Sequence, residues 1–405
     1  MNYKVRALSI RTKEEGFAEF KKIGADAAGC NIMINKTLPL ALKVKGISLI
    51  AANILKQEML SRGGDVVTSR EILCSTEGET DVIILATRES IKSLIKKIKM
   101  QPFGLKKLSD DLSIYINRLD KIEKKKILKI ADREFDLNRE VLVMGVLNVT
   151  PDSFYDGGYY FEKSKACDRV DEIVRQGAQI IDIGGMSTRP GSQPVSLSDE
   201  IERTIPVIEH ISKNYDILVS IDTYRSEVAK RAVKAGAHII NDISGLTLDD
   251  NMAKVAAESK SFVIIMHMKG TPKNMQENPE YEDVIDEIYD YLQHKAARAV
   301  ESGIGEDKII IDPGIGFGKK LEHNLMILNK LSEFKALGYP VLVGASRKSF
   351  IGKILDLPVE ERLEGSLASA VCSVLNGADI LRVHDVEETV RAIKIAKGIK
   401  GVKDV

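Results

Sequence analysis

Polar and charged side chains directly follow short apolar runs in this chain. The run that begins at Met144 ends in Asn148, and the loop after it carries Asp152, Phe154 and Asp156. An amide, two carboxylates and an aromatic ring at the end of one strand could together bind a polar ligand. Any buried strand also needs a polar turn after it, so one strand and its loop do not establish a site. The pattern indicates a site only if it recurs.

Eight strand-sized apolar runs follow one another in the second part of the chain, with helix-period segments between several of them. The runs are 141–147, 180–183, 217–221, 238–240, 262–266, 309–311, 341–343 and 380–383. The helical segments are 163–176, 198–213, 225–235 and 283–301. Eight strands alternating with helices over roughly 270 residues are typical of a (β/α)8 TIM barrel. A doubly wound open sheet would alternate too, but its Gly-x-Gly-x-x-Gly turn after the first strand is missing.

Each of the eight runs is followed by polar or charged residues. These residues are Asn148; Ser187, Thr188 and Arg189; Asp222; Asn241 and Asp242; His267; Asp312; Ser346, Arg347 and Lys348; and Arg382, His384 and Asp385. Each alone has a structural explanation, since Asn and Asp cap helices and a lone His is usually a core or surface residue. The C-terminal ends of barrel strands, however, meet at one face, where such enzymes have their active sites. Eight polar strand ends together therefore predict a small-molecule site.

The residue types indicate which ligand the site binds. Asp222, Asn241 and Asp312 end apolar strands and should be partly buried, so they need hydrogen-bond donors from a partner. A flat heterocycle with ring N–H and amino groups would supply these donors, and Lys348 could donate to its other edge. A second group of side chains can donate to phosphate or pyrophosphate, and Asp152 could help to hold a bridging metal ion. This group comprises Asn148, Arg189, Arg382 and His384.

The glycine-rich run 313–320 resembles a phosphate-binding loop only superficially. Walker A requires Gly-x-x-x-x-Gly-Lys-Ser/Thr, whereas this run begins with Pro313 and ends with Lys320. Close approach of the backbone to a flat ligand, with Phe317 as a wall, is the better use of these glycines.

The composition argues against nucleic acid or an acidic membrane as a partner. The chain has 59 Lys and Arg residues against 59 Asp and Glu residues, with a pI of about 7.0. No apolar signal segment follows the charged N-terminus, and Lys43 and Lys45 interrupt the apolar run 38–55, so no membrane span is expected. The cysteines are Cys30, Cys74, Cys167 and Cys372. Their wide spacing predicts reduced, mostly buried thiols of a cytoplasmic protein rather than a structural zinc site.

The length of 405 residues favours two domains. We expect an N-terminal α/β domain of unknown function at residues 1–125 and the barrel at residues 126–400. The first domain has predicted helices at 13–23, 39–61 and 89–99, a strand at 82–86 and another helix after Gly104. The basic run 121–126 is interpreted as a solvated boundary. A hairpin at 128–141 would lead into the barrel, and nothing before it carries recognisable chemistry.

Taken together, the motifs of the barrel region closely resemble the dihydropteroate synthase family, the pterin-binding enzymes of folate biosynthesis. The matching segments are LNVTPDSFYDGG, DIGGMSTRPGS, SIDTYRSEVAKRAVKAGAHIINDISG, IMHMKGTPKNMQ, IDPGIGFGKK, GASRKSFIG and RVHDV. The resemblance implies a Mg²⁺-dependent condensation of 6-hydroxymethyl-7,8-dihydropterin pyrophosphate with p-aminobenzoate, which yields 7,8-dihydropteroate and pyrophosphate. It also suggests a homodimer that forms through helices of the barrel.

The resemblance implies a role for each matching residue. The pterin would be held by Asp222, Asn241, Asp312 and Lys348, with Ile243, Met266, Gly316 and Phe317 packed around it. Pyrophosphate and its metal ion would be bound by Asn148, Arg382 and His384, with Asn148 as the metal ligand. The p-aminobenzoate side would consist of Phe154, Asp156, Thr188, Arg189, Pro190 and Ser349. The catalytic residues would be Asp222, Lys348, Arg382 and His384.

Two other functions fit part of the pattern. Methyltetrahydrofolate:corrinoid methyltransferases share the pterin-binding barrel but do not need the Ser-Arg-Lys, Arg-x-His and STRPG segments that would meet pyrophosphate and p-aminobenzoate. A degenerate barrel could instead serve as a pterin-binding or scaffold protein. Degeneration should erase anion-binding residues first, yet Asn148, Arg382 and His384 are all present.

Overall fold

The computed structural model describes residues 3–124, 127–149, 159–186 and 195–400. The chain divides into two compact units, an N-terminal unit, Met1–Lys121, and a barrel unit, Ile122–Gly401. No helix among the described residues is both long enough and apolar enough to cross a membrane. Within the same residues no disulfide joins the cysteines. Only Cys30 is buried, so the prediction of mostly buried thiols is wrong.

Within residues 3–124, the N-terminal unit combines five α-helices with a three-stranded antiparallel sheet. Its elements are α1 (Lys13–Lys22), α2 (Ala27–Met33), β1 (Leu40–Ser48), α3 (Leu49–Leu60), β2 (Asp65–Val67), β3 (Glu79–Ala86), α4 (Arg88–Ile98) and α5 (Leu105–Lys124). The strand order is β1-β3-β2. The predicted helices at 13–23 and 89–99, the strand at 82–86 and the helix after Gly104 are confirmed.

The predicted helix at 39–61 is wrong, because its first half is strand β1. Residues 40–48 pair with β3, and the register shifts between Val44 and Ile47. Gly46 lies in this irregularity with a φ of +62° and donates its N–H to Asp81 Oδ1 at 3.0 Å. Glycine adopts that left-handed conformation without steric cost. The helix begins only after Ser48, whose hydroxyl accepts from Ala51 N and caps it.

The two faces of the N-terminal sheet differ in burial. Val66 and Ile84 point to a core that also contains Leu55, Met59 and Leu94, and all five side chains are fully buried. The opposite face carries side chains that remain in contact with solvent. It includes Val67, Ile83 and Leu85, with exposed fractions of 51%, 39% and 43%.

The barrel unit begins with a hairpin of two antiparallel strands and continues with eight parallel strands. The hairpin strands are β4 (Ile127–Ile130) and β5 (Arg133–Asp136). The barrel strands are β6 (Leu142–Asn148), β7 (Ile180–Gly184), β8 (Leu218–Asp222), β9 (Ile239–Asp242), β10 (Phe262–Met266), β11 (Ile309–Asp312), β12 (Leu342–Val343) and β13 (Ile380–Val383). Their order is β11-β10-β9-β8-β7-β6-β13-β12, and a parallel bridge between Ile311 and Val341 joins the two ends. The predicted barrel is confirmed.

Helices surround the barrel. They are α6 (Tyr159–Arg175), α7 (Leu197–Asn214), α8 (Ser226–Ala235), α9 (Met252–Ser259), α10 (Val284–Glu301), α11 (Leu321–Asn329), α12 (Ser349–Leu355), α13 (Leu363–Leu375) and α14 (Val386–Lys400). Successive strand residues face alternately the helices and the barrel interior. Ile181, Val219 and Ile240 therefore join the core between strands and helices. This layer of apolar burial holds the strands in register.

The hairpin contributes to the core at the N-terminal end of the barrel. Leu128, Ile130, Phe135 and Leu137 share one buried cluster with the first inward-facing residues of the strands. Those strand residues are Leu142, Met144, Ile180, Leu218, Ile239, Phe262, Ile264, Ile310, Leu342 and Ile380. Among the described residues, the interior is therefore apolar and packed at this end, and the polar inward-facing residues lie further along the strands.

Candidate active site

Asn148, Gly184 and Asp222 end three neighbouring strands. They lie side by side, since Asn148 is in register with Gly184, and Gly184 with Asp222. A Cβ placed at Gly184 would lie 3.6 Å from Asn148 Oδ1 and 3.8 Å from Asp222 Oδ2. Because Gly184 has no side chain, its strand does not fill the position between an amide oxygen and a carboxylate at the end of the barrel.

Arg382 connects strands on both sides of this space. From β13, its Nε donates to Asp182 Oδ2 at 2.6 Å and its Nη2 donates to Asp222 Oδ2 at 2.7 Å. Asp182 Oδ2 also accepts from Asn241 Nδ2 at 3.1 Å. One guanidinium, two carboxylates and one amide thus form a continuous network across β13, β7, β8 and β9.

The network strongly affects the ionisation of its members. Burial raises the pKa of Asp222 to about 7, and the nearby Asp182 charge adds to the rise, although the Arg382 guanidinium opposes it. Burial also works against the charge of Arg382. The Asp182 and Asp222 carboxylates outweigh that penalty, so the pKa of Arg382 lies above its ordinary value. Asp222 is therefore an acceptor whose charge depends on pH near neutrality.

Asp312 is a second buried carboxylate at the same end of the barrel. It ends β11 in register with Met266 of β10, so both side chains lie on the inner face. Its Oδ1 accepts from Gly314 N at 2.7 Å. Burial raises the pKa of Asp312 to about 6, against the backbone hydrogen bond and the Lys348 charge, which lower it. Asp222, Asn241 and Asp312 are all buried, as predicted.

Lys348 brings a cation to this group of acceptors. Its charge acts on both Asp222 and Asp312, and its Nζ lies 4.1 Å from the centre of the Phe317 ring. Gly316, with a φ of +81°, approaches the same side chain, because a Cβ there would lie 3.2 Å from Lys348 Cδ. The glycine run therefore allows close contact between a loop and a lysine side chain. Ser349, the next residue, begins α12 and is exposed.

His384 lies beyond the end of β13 and is half-buried. Its Nδ1 lies 3.1 Å from Ser346 Oγ, and its backbone N–H donates to the same hydroxyl at 3.2 Å. Ser346 thus fixes the ring from the neighbouring strand exit. Ile243, the remaining predicted contact within the described residues, is buried directly after β9.

Several polar residues at the strand ends hold loops rather than line the site. Asp242 accepts from the N–H groups of Ser244 and Leu246, at 2.7 and 3.0 Å, which closes the turn after β9. Arg347 makes two parallel hydrogen bonds to Asp385, of 2.9 and 2.6 Å, and has a φ of +55°. This pair joins the loops after β12 and β13.

His267 also has a structural role. Its Nδ1 lies 2.9 Å from Nζ of the buried Lys319, which also donates to Phe317 O at 2.9 Å. Burial and the Lys319 charge lower the pKa of His267 to about 2, so the ring is neutral and accepts from the lysine. Through these two contacts, Lys319 connects the loop that carries Phe317 to the end of β10.

A family model described as pterin binding enzyme matches residues 144–384, which is more than half of the chain. The chain belongs to the pterin-binding enzyme family. Every residue of the network described above lies within the matched range.

Two relatives within this family match the barrel. A dihydropteroate synthase from Escherichia coli is 47% identical over 262 residues, which cover 65% of this chain and 93% of the relative. The structure of a Xanthomonas albilineans dihydropteroate synthase with 4-aminobenzoic acid has 38% sequence identity and a TM-score of 0.65. That match covers 69% of this chain and the whole of the solved chain. Both matches are to proteins of about the length of the barrel unit.

A third pterin-binding relative matches more of the chain. A probable bifunctional folylpolyglutamate synthase/dihydropteroate synthase from Halobacterium salinarum is 40% identical over 355 residues, 86% of this chain and 42% of the relative. A match of that length exceeds the barrel unit Ile122–Gly401 and so extends into the N-terminal unit. At least part of the N-terminal unit therefore has a counterpart in that relative.

Most of the residues that are predicted to bind p-aminobenzoate lie in the ranges 150–158 and 187–194, which the structure does not describe. Phe154, Asp156, Thr188, Arg189 and Pro190 lie outside the described residues, as does Asp152, which could help to hold the metal ion. Their roles remain predictions.

Sequence reasoning assigned no role to Asp182 or Glu200, although both are fully buried. Asp182 lies inside β7, and its sequence signals are a carboxylate within the apolar run IIDIG and its place as the first residue of the segment DIGGMSTRPGS. Glu200 on α7 accepts from Thr223 Oγ1 at 2.7 Å and Arg225 Nη1 at 2.9 Å. Glu200 therefore holds Thr223 and Arg225, which belong to the loop after Asp222, against α7.

Proposed function

We infer that this chain is a dihydropteroate synthase, which condenses 6-hydroxymethyl-7,8-dihydropterin pyrophosphate with p-aminobenzoate to give 7,8-dihydropteroate and pyrophosphate. The observation that carries this conclusion is the convergence of buried acceptors and cations at one end of a pterin-binding barrel. Asp222, Asn241 and Asp312 supply the acceptors, whereas Lys348 and Arg382 supply the charge. The identity of 47% to the E. coli enzyme across the barrel supports the same function.

The pterin ring would lie against the buried acceptors. Its ring N–H and amino groups match Asp222 and Asp312, each of which retains acceptor capacity, because a carboxylate accepts about four hydrogen bonds. Lys348 would donate to the opposite edge, and Phe317 and Met266 would contact the flat faces. Binding through several buried groups fixes the methylene carbon in one place, which is how positioning lowers a barrier.

The diphosphate would be bound by Arg382 and His384, with Mg²⁺ held partly by Asn148. Among the described residues, no cluster of three or more His, Cys, Asp or Glu side chains could hold a metal ion. The amide oxygen of Asn148, beside the gap at Gly184, fits an ion that takes most of its ligands from phosphate oxygens and water. Bound there, Mg²⁺ would neutralise charge on the leaving pyrophosphate.

The reaction needs no side-chain nucleophile. A C–N bond forms between the aromatic amine and the methylene carbon, the C–O bond to pyrophosphate breaks, and the amine loses a proton. Arg382 would favour the negative charge that develops on the leaving pyrophosphate, whereas the Asp222 and Asp312 carboxylates would favour the positive charge that develops on the pterin ring. Ser349, with the predicted residues of the first two loops, would bind p-aminobenzoate. Catalysis would then depend on Asp222, Lys348, Arg382 and His384.

We also propose that the chain acts as a homodimer in the cytoplasm. Support for the dimer comes from exposed apolar side chains on the adjacent helices α11 and α13, namely Leu325, Met326 and Leu375. The balance of positive and negative charge is compatible with a cytoplasmic enzyme of small substrates. Light scattering of the wild type and of Met326→Glu tests the dimer, which the charge should dissociate.

The function is tested by incubating the purified protein with the pterin pyrophosphate, p-aminobenzoate and Mg²⁺ and measuring dihydropteroate by mass spectrometry. Product that requires both substrates is expected. A parallel reaction with methyltetrahydrofolate and a corrinoid tests the rival methyltransferase. Methyl transfer without dihydropteroate would reverse the assignment.

A further inference from the structure

Asp182 lies at the centre of the buried network but has no role in the proposed function. Its side chain is fully buried, and its Oδ2 accepts from both Arg382 Nε and Asn241 Nδ2. The other oxygen, Oδ1, is buried without a hydrogen-bond partner among the described residues. A buried carboxylate costs free energy, so this one needs an explanation.

The register shows that Asp182 lies deeper in the barrel than the ligand-binding acceptors. Asp182 is in register with Ser220, whereas Gly184, two residues later, is in register with Asp222. Asp182 therefore belongs to the inward-facing layer below the one that contains Asp222. From that depth it would act through the residues it holds.

Asp182 determines how Asn241 presents its amide. A carboxylate can only accept hydrogen bonds, so Asn241 must turn its nitrogen towards Asp182. The amide oxygen of Asn241 is thereby turned away, where it can accept from a ligand. Without the carboxylate, both amide orientations would become available, and the pocket would lose a defined pattern of donors and acceptors.

Asp182 likewise determines where the Arg382 guanidinium lies. The Nε atom is bound to Asp182 and the Nη2 atom to Asp222, so two carboxylates fix the plane of the group. If a pterin ring competes for Asp222, the bond to Asp182 remains as the anchor. The guanidinium would then stay close to the diphosphate.

We propose that Asp182 is a positioning residue whose carboxylate orients Asn241 for the pterin ring and anchors Arg382 for the diphosphate. This proposal rests on the proposed function, because it assumes that ring and diphosphate bind at this end of the barrel. It assigns one buried carboxylate to both halves of the substrate.

The test is the nearly isosteric variant Asp182→Asn, with Ser220→Ala as the matched control. Ser220 is in register with Asp182, is equally buried, and its hydroxyl has no partner among the described residues. Two probes separate the two roles: 6-hydroxymethyl-7,8-dihydropterin for the ring and inorganic pyrophosphate with Mg²⁺ for the anion. Calorimetry should show that Asp182→Asn weakens both at least about tenfold, as expected for lost charged hydrogen bonds.

Kinetics and a double variant distinguish positioning from general damage. The KM for the pterin pyrophosphate should rise in Asp182→Asn, whereas the KM for p-aminobenzoate should stay within about twofold. In an Arg382→Ala background, Asp182→Asn should not weaken pyrophosphate binding further but should still weaken ring binding. Equal losses in both backgrounds would overturn the anchoring role.

Two results with these variants would overturn the proposal. A folded Asp182→Asn that binds both probes within twofold of wild type would do so, and so would a Ser220→Ala that loses as much as Asp182→Asn. If Asp182→Asn does not fold, a crystal structure of the wild type with both probes decides instead. The proposal requires that Asp182 contacts both Arg382 and Asn241 in that structure, and the absence of either contact would overturn it. A wild type that makes no dihydropteroate and binds no ring would refute the proposed function itself, which separates that failure from this one.

Discussion

The two units of the chain differ in what they bury. Among the described residues, the N-terminal unit buries two polar side chains, Arg88 and Ser109, whereas the barrel unit buries twenty although it is little more than twice as long. Arg88 is paired with Asp120 at 2.8 Å, and Ser109 donates to Ile95 O at 3.1 Å. Both have simple structural partners within their own unit.

The buried polar residues of the barrel are of another kind. Asp222 and Asp182 each have an oxygen without a partner in the described part of the chain, and Lys319 is almost completely buried. A fold gains little stability from such groups, since desolvation opposes their interactions. The difference teaches that buried carboxylates with unpartnered oxygens, more than size or secondary structure, mark the unit where chemistry takes place. Four predictions test this contrast.

The largest effect is expected from Lys348→Ala. It removes the cation near Asp222 and Asp312, and turnover should fall by about 100- to 1,000-fold, as for loss of one stabilising donor. Steady-state formation of dihydropteroate measures this. Lys353→Ala, on the exposed side of α12, removes the same charge nearby and should retain activity. Near-normal turnover of Lys348→Ala would mean that Lys348 has no part in the site.

The second prediction concerns the N-terminal unit. Leu55 is fully buried in its core, so Leu55→Ala should lower the local free energy of unfolding by about 2–5 kcal/mol. Hydrogen exchange at the amides of this unit measures the loss. The kcat and both KM values should not change at 25 °C. Altered kcat in folded protein would break the contrast, because it would couple the N-terminal core to the reaction.

The third prediction is a pH dependence confined to the barrel. The pKa of Asp222 is raised to about 7 and that of Asp312 to about 6, so acidification protonates both acceptors and removes their charge. The ligand 6-hydroxymethyl-7,8-dihydropterin has no phosphate to titrate. Its affinity should fall below pH 7, and the fall should approach about tenfold per pH unit. Calorimetry from pH 5.5 to 8.5 measures this. In Asp222→Asn the change in binding affinity near pH 7 should disappear. A wild-type affinity that does not change with pH would contradict the assignment of Asp222 and Asp312 as acceptors for the pterin ring.

The smallest effect is expected on the exposed face of the N-terminal sheet. Ile83→Lys should change the free energy of unfolding by no more than about 0.5 kcal/mol, as is usual at exposed positions. Its neighbour Ile84 is fully buried, and Ile84→Lys should prevent folding of the unit. Thermal unfolding of the two variants measures the difference. A large loss in Ile83→Lys would mean that this face is covered in the native protein.

The barrel was predictable because its signal is local. Each strand is a short apolar run buried on both sides and ended by a polar residue, and the predicted runs 262–266 and 380–383 coincide with β10 and β13. The region 39–61 was misassigned for the opposite reason. Its first half is a strand only because it pairs with residues about 40 positions later, and the bulge at Gly46 obscures its alternation.

The candidate site was only partly predictable. Burial of Asp222, Asn241 and Asp312 follows from their positions at the ends of apolar runs. The role of Asp182 does not, because its partner Arg382 lies 200 residues away in sequence. His267 and Arg347 are polar strand ends to which the sequence analysis assigned no specific role. Their residue types suggest chemistry, yet their hydrogen bonds to Lys319 and Asp385 make them structural.

The hairpin of β4 and β5 has a consequence for substrate entry and product release. Phe135 and its neighbours fill the N-terminal end of the barrel with apolar side chains, whereas the predicted substrate-binding side chains lie at the opposite end. Both substrates would then enter, and both products would leave, at the C-terminal end of the barrel. A product that remains bound at this end prevents the next substrate from binding. Dihydropteroate and pyrophosphate should therefore each act as product inhibitors.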